Sequence, residues 1–444
     1  MPLLYEAGNF AVSSRGVAQM ASALPWGGRG RWFKSTRPDV LNARRGRENG
    51  ECFLLVFLDM KRKLITFSQH KSIFIVFLEK YKTKILPSPL PAPIAKLFIR
   101  AFGRRKPVKN FDFANVSSVL IRPGAGVGDA VVLTSSLAQL KRAYKNIKIG
   151  VLINARDGAV FNNNPDIDVL INDNIFSYIK HRGKWQVFMD TLPYFNERNI
   201  VCDALLSPEC VVALRKHSGD YYLERGFCNY DFYCPPDPSI HFSQILKTAP
   251  FANFVNTGDV RYFVKPDENL VRGFDAKWQK GKIRVLLNST GQTRVIDKED
   301  FKSLISKIKE TFPQDIDVIM LNNRRNKRFA NEGVRFSDDL NLDEFIAFTS
   351  TADIIVTPDT SLVHLACAFG KRLISFYPNT GDMPQWLPLK EPRYKAIIGK
   401  EGGIKDMPID INSALRYLSE FVTELKRPPS PCPLPDEGED KGEG

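Results

Sequence analysis

From Ser117 onward the chain alternates two hydrophobic periods. Short apolar runs that suit strands recur between longer stretches whose apolar positions suit helices. Ser118–Ile121 is the first strand candidate, followed by glycine-rich residues and a helix from about Asp129 to Tyr144. Lys148–Ile153 and Val169–Ile171 are the next strands. The alternation restarts at Arg284–Leu287, with a helix near Lys298–Thr311, a strand at Asp317–Leu321 and a helix near Leu342–Ser350. A strand at Asp353–Thr357, a helix near Ser361–Phe369, a strand at Arg372–Phe376 and a terminal helix at Ile411–Lys426 complete it. Such alternation predicts parallel α/β sheets. A less regular stretch near 255–282 separates the two blocks. The expected architecture is two Rossmann-like domains, over residues 94–265 and 280–426, facing a central cleft.

The flanks read differently. Residues 1–93 form an N-terminal extension, and residues 427–444, rich in Pro, Glu and Gly, read as a disordered tail. Residues 1–60 show little sustained periodicity. Read back to codons, Trp32-Phe33-Lys34-Ser35 resembles the T-arm of a tRNA gene. Two readings stand: a disordered tail, or a start codon placed too far upstream with the true start near Met60. Pro87-Ser88-Pro89-Leu90-Pro91-Ala92-Pro93 is a stiff extended linker. After it, Ile94, Leu97, Phe98, Ala101 and Phe102 make one apolar helical face, with Lys96, Arg100, Arg104, Arg105 and Lys106 around it. Residues 94–106 could therefore lie on an anionic membrane surface, at the inner face of the cytoplasmic membrane, or pack on the protein body.

Composition narrows the class. With 444 residues, 43% apolar and 25% charged, the chain is an ordinary globular one. Its longest apolar runs are far short of the roughly 18 residues a spanning helix needs. The first 30 residues lack the pattern of a secretory signal. The net charge of +14 sits in the extension: residues 1–110 hold 21 Lys and Arg against 6 Asp and Glu, and the remainder is nearly neutral. A neutral body argues against nucleic acid as a partner. The seven cysteines are odd in number and show no CxxC spacing, so they read as free thiols in a reducing cytoplasm rather than as a zinc site.

Three constellations could carry chemistry. The first is Ile121-Arg122-Pro123-Gly124-Ala125-Gly126-Val127-Gly128-Asp129. Its glycines, Gly124, Gly126 and Gly128, would let a ligand approach the backbone. It is neither the dinucleotide fingerprint, which needs glycine where Asp129 stands, nor a P-loop. Asp129 is left at a helix mouth, either as a reactive carboxylate or as an ordinary first-turn acid. The second is Thr357-Pro358-Asp359-Thr360-Ser361-Leu362-Val363-His364. Asp359, Thr360 and Ser361 are N-cap formers, and a helix N-terminus suits a diphosphate that His364, one turn down, could also reach. The third is Asn288-Ser289-Thr290-Gly291-Gln292-Thr293-Arg294, where Thr290 and Arg294 could hold phosphate or line a polar loop. Asp-Ile-Asp at 166–168 and 315–317 sits beside strand-like segments, which argues against a metal-binding pair.

These residues carry a resemblance. The chain from about Ser117 to Lys426 resembles glycosyltransferase family 9, the heptosyltransferases. Val119–Leu140 is similar to the family's opening strand, Gly-Asp turn and helix. Asn164-Pro165-Asp166-Ile167-Asp168-Val169-Leu170-Ile171 is similar to its Asn-Pro-Asp segment, and Ala352–Lys371 resembles its signature. The resemblance implies a GT-B fold and a metal-independent, inverting transfer, without a cofactor, from a nucleotide sugar such as ADP-heptose. The implied acceptor is a lipid-linked saccharide, the lipopolysaccharide core or a related surface glycan. It implies Asp129 as general base, Thr360, Ser361 and His364 at the diphosphate, Asp359 at the sugar or nucleotide, and Arg294, with Thr290 beside it, on phosphate. The implied location is cytoplasmic. Ser361 departs from the family's usual Thr-Gly pair, Arg294-Val295-Ile296-Asp297 from its Lys-x-Trp-Pro, and Asn322–Lys327 lacks its usual acidic residue. Another nucleotide sugar, as for capsule glycans, or binding without turnover are the alternatives within the family. A two-domain nucleotide-dependent oxidoreductase is the alternative outside it.

Overall fold

The computed structural model describes residues 99–100, 103, 108–124, 126–154, 157–193, 197–215, 230–258, 260–380, 383–399 and 406–427. The extension, the C-terminal tail and nearly all of the 94–106 segment lie outside the described residues. Ile99 is described, and it is buried in the first domain.

The first domain is built on strands β1 (Ser118–Arg122), β2 (Lys148–Ile153), β3 (Val169–Asn172), β4 (Val187–Asp190), β5 (Cys210–Leu214) and β6 (Phe232–Cys234). All neighbours pair in parallel, in the order β3-β2-β1-β4-β5-β6. Its helices are α1 (Val127–Ala143), α2 (Ile175–Lys180) and α3 (Glu197–Leu206). The second domain repeats the plan. Helix α4 (Glu268–Asp275) leads into β7 (Ile283–Leu287), α5 (Lys298–Thr311), β8 (Ile316–Met320) and β9 (Arg335–Phe336). Then follow α6 (Leu342–Thr351), β10 (Ile354–Pro358), α7 (Ser361–Ala368), β11 (Arg372–Tyr377), β12 (Tyr394–Ile398) and α8 (Ile411–Lys426). The second sheet is also parallel, in the order β12-β11-β10-β7-β8-β9. Strand order reverses at β1/β4 in one sheet and at β7/β10 in the other. Ligands in open α/β sheets bind at the carboxyl ends of such strands.

Local chemistry explains these elements. Asp297 caps α5 through the Glu299 and Asp300 amides, and Phe301, Leu304, Ile305 and Ile308 form its buried stripe. Asn341 and Glu344 close a reciprocal capping box on α6. Helix α1 has no such stripe, because it is buried from Ala130 to Leu137 on every side, between its own sheet and α7 of the second domain. One apolar cluster runs unbroken from Val119 and Ile121 through Leu133 and Leu137 to Leu362, Leu365 and Ile355. The two domains therefore share a core, and the cleft between them is closed.

The stretch expected to be irregular contains α4, capped by Asp267. It packs on α6, with Phe274 and Trp278 against Phe348 at ring separations of 5.3 and 5.5 Å. Neither Asp-Ile-Asp segment gathers a metal site. Asp168 accepts from Lys141 and the Ile149 amide at 2.7 and 2.6 Å. Asp317 binds Arg335 and the Gln279 amide, and Asp315 pairs with Lys426. Among the described residues no group of three or more His, Cys, Asp or Glu could hold a metal ion. Cys202, Cys210, Cys234 and Cys367 are buried and form no disulfide. No described helix is long and apolar enough to cross a membrane.

Candidate active site

The glycine-rich turn leaves β1 at the switch point and enters α1. Its start is anchored: the Thr191 amide and hydroxyl, just past β4, both donate to the Arg122 carbonyl at 3.1 and 2.9 Å. The Arg122 guanidinium is buried and donates to Asp190 at 3.0 Å, Asp203 at 2.5 Å and the Tyr178 hydroxyl at 2.8 Å. The Tyr230 hydroxyl completes the network on Asp203 at 2.7 Å.

Asp129 lies in the first turn of α1 and folds back over the loop. Its Oδ2 accepts from the Gly126 amide at 3.1 Å. A Cβ on Gly124 would fall 2.5 Å from Asp129 Oδ1, so only glycine leaves room for this carboxyl. Gly124 and Gly126 make space for the chain's own carboxylate, and Gly128 makes space for the second domain. Burial raises the Asp129 pKa above the ordinary aspartate value, against the opposing pull of the Arg215 guanidinium and the Gly126 amide. Arg215 Nη1 stands 3.9 Å from Oδ1. Asp129 thus acts as a first-turn cap through Oδ2, while Oδ1 faces a cation.

From the second domain, two loops at the β7/β10 switch point converge. Thr360 caps α7, its hydroxyl accepting from the Leu362 amide at 3.2 Å and lying 3.0 Å from the Thr357 hydroxyl. Ser361 opens the helix. Asp359 does not cap it; its carboxylate lies 3.4 Å from Arg294 Nε. The 288–294 segment turns back on itself, with the Gly291 amide donating to the Arg294 carbonyl at 2.6 Å. Asn288, Ser289 and Thr357 form a buried polar network with Asn326. Arg325, from the loop after β8, donates to the Thr290 hydroxyl at 3.3 Å and the Gly291 carbonyl at 3.1 Å. Two guanidinium groups thus flank the α7 N-terminus, where a helix dipole already favours an anion.

His364 is 2% exposed, between the Tyr262 and Trp386 rings at 6.1 and 5.9 Å, and its Nδ1 has no hydrogen-bond partner. Burial, assisted by His241, pushes its pKa down to about 3. At neutral pH it can offer an anion a hydrogen bond but no charge. The two halves meet at Gly128, where a Cβ would lie 3.1 Å from His364 Cδ2 and 3.5 Å from the Ser361 Cα. The sequence reading missed Arg215, Arg325, Gln385 and Trp386. Arg215 follows β5, a strand in the stretch where no element was read, and Arg325 sits in a loop noted only for lacking an acid.

Residues 276–406 match the family model described as glycosyltransferase family 9 (heptosyltransferase). The chain is 26% identical over 312 residues to the putative lipopolysaccharide heptosyltransferase 4 of Escherichia coli K12, covering 63% of this chain and 80% of that one. Two solved structures share the fold. A family 9 glycosyl transferase from Veillonella parvula superposes with a TM-score of 0.59 at 13% identity, over 71% of this chain and all of that one. The E. coli ADP-heptose lipopolysaccharide heptosyltransferase II superposes with a TM-score of 0.56 at 13% identity, over 70% and 100%. The chain thus has two parallel sheets in the GT-B manner, with its family-matching segment, 276–406, supplying α7 and the 288–294 loop.

Proposed function

We propose that this glycosyltransferase moves a sugar from a nucleotide sugar to a lipopolysaccharide core or related surface saccharide, with inversion at the anomeric carbon and without a metal. ADP-heptose is the first candidate donor, since one relative of the same fold is named for it. The observation that carries the reading is the contact of Gly128, the residue before Asp129, with Ser361 and His364 at the α7 N-terminus. Asp129 would take the proton of the acceptor hydroxyl. That oxygen would attack the anomeric carbon while the bond to the diphosphate breaks on the opposite face. The leaving diphosphate would be met by the α7 amides, Thr360, Ser361, Arg294 and a neutral His364. Asp359, held by Arg294, would face the sugar or nucleotide. A raised pKa makes Asp129 a stronger base than a solvated aspartate, as the step requires.

A second donor class is favoured by Arg325. From the loop where the family usually has an acid, it places a cation on Thr290 and Gly291. A nucleotide or sugar with extra negative charge would suit that replacement.

The test is transfer from ADP-heptose to a truncated lipopolysaccharide core by the unmodified chain and by Asp129→Asn. Loss of about two to four orders of magnitude in kcat with donor affinity kept is expected. Transfer surviving near its original rate overturns the base assignment. Thermal stabilisation by ADP, UDP, GDP and CMP ranks the donor base, and UDP or GDP ahead of ADP overturns the ADP-heptose reading.

A further inference from the structure

Arg215 is the one cation beside Asp129 among the described residues, and it is held from both domains. It follows β5 at φ +58°, a left-handed conformation that costs a non-glycine residue energy. Its amide donates to the Cys234 carbonyl at 2.8 Å, which pins the backbone to β6. Its guanidinium lies over the Phe242 ring at 4.2 Å, in the first domain, and over the Trp386 ring at 5.0 Å, in the second. Nη2 donates to Gln385 Oε1 of the second domain at 3.2 Å, while Nη1 faces Asp129. A guanidinium has five donors in a rigid plane, so fixing one nitrogen and both ring faces fixes where the other nitrogen points.

We propose that Arg215 is a positioning residue that ties the seating of the second domain to the charge and placement of the Asp129 carboxylate. This rests on the reading of Asp129 as the base. With Gln385 and Trp386 in place, the cation is delivered to the carboxylate and opposes the rise in its pKa that burial causes. With the domains parted, both second-domain contacts are lost and the cation is no longer aimed. The base would then be set only when the cleft is shut. Other groups near the pair do not supply this charge. His364, from α7, is neutral at physiological pH; His241, before the Phe242–Thr248 turn, is also depressed by burial and spends Nε2 on the Leu387 carbonyl. Asp237, which borders the small cavity beside Arg215, is acidic.

The test reads the carboxylate directly in the full chain. Aspartate labelled with 13C at the side-chain carboxyl is titrated by NMR, and the Asp129 signal is assigned by its absence in Asp129→Asn. Arg215→Met is expected to raise the Asp129 midpoint by about one pH unit. Gln385→Leu, which keeps both the base and its cation but removes the second domain's hold on the guanidinium, is expected to move it in the same direction by less. Arg215→Lys keeps a charge and should recover part of the shift. An unchanged midpoint in Arg215→Met overturns the proposal. A midpoint raised in Arg215→Met and unmoved in Gln385→Leu overturns the link to the second domain. If Arg215→Met does not fold, Gln385→Leu alone decides. Transfer that survives in Asp129→Asn while the midpoints move as expected sinks the base reading and leaves this electrostatic link standing.

Discussion

Gly128 and His364 meet across the cleft so closely that a Cβ on Gly128 would stand 3.1 Å from the imidazole Cδ2. The contact joins the α1 N-terminus, which carries Asp129, to the α7 N-terminus, which would receive the leaving group. Gly128→Val adds branched bulk there and holds the halves apart. The expected outcome is a fall in kcat of about tenfold or more, since small misplacements of reacting groups are costly. Affinity for ADP, measured by calorimetry, should fall by less than kcat, because Gly128 presses on Ser361 and His364 alone and Arg294 and Thr360 are outside its reach. A variant with unchanged kcat would show that the closed contact is not part of the working state.

His364 gives the fold an acid sensitivity. An unfolded imidazole takes up its proton near pH 6.5, whereas the buried ring resists protonation until about 3. Stability is therefore lost as pH falls from 6.5 toward 3, by about 2 kcal/mol between pH 7 and pH 5. Asp157, pushed up to about 6 by burial, contributes the opposite slope. Urea unfolding of the unmodified chain and of His364→Gln at the two pH values isolates the histidine, because Asp157 is common to both. An equal pH difference in the two chains would contradict the assignment.

Arg122 neutralises two buried carboxylates, and its removal is expected to be costly. Arg122→Met leaves Asp190 and Asp203 inside with no counter-charge. A loss of about 3–5 kcal/mol in urea unfolding is expected. The triple replacement with Asp190→Asn and Asp203→Asn should recover part of it, since the penalty comes from the orphaned charges. A loss below about 1 kcal/mol for the single variant would mean that water reaches the network.

Arg294 and Arg325 should hold a nucleoside diphosphate through charge. Arg294→Met is expected to weaken ADP about tenfold, near 1.4 kcal/mol, and Arg325→Met to weaken it less, as its side chain is exposed. Calorimetry at two salt concentrations checks the origin: the unmodified chain should lose affinity with salt more steeply than either variant. No change in ADP affinity for Arg294→Met would remove it from the donor site.

Much of the fold was legible because it is written locally. Lys148–Ile153 and Lys298–Thr311 are bounded by turn and capping residues, and the observed limits coincide with those read from periodicity. Val187–Asp190, of four residues, and Phe232–Cys234, of three, are too short to show a period, and they went unread. Helix α4 was missed for a related reason: its Phe274 finds its partner, Phe348, 74 positions along the chain. The candidate site was half legible. Asp129, Thr290, Arg294, Asp359, Thr360, Ser361 and His364 were named from motifs, and the structure brings them to facing loops. Nothing in a Gly-x-Gly-x-Gly spacing says that a carboxylate and another domain lie against these glycines.

By itself, the sequence determined the two α/β blocks, a helix beginning within two residues of Val127 and another at Ser361, and which polar side chains stand at strand ends. These follow from backbone geometry and hydrogen bonds made within a few residues. Only the tertiary structure decided that Arg215 faces Asp129, that Gln385 and Trp386 hold it, and that His364 is dry and neutral. Those outcomes depend on burial and on charges brought together from positions up to 170 residues apart, as Arg215 and Gln385 are. Desolvation and Coulomb energy are set by what packs around a group, which no local pattern records.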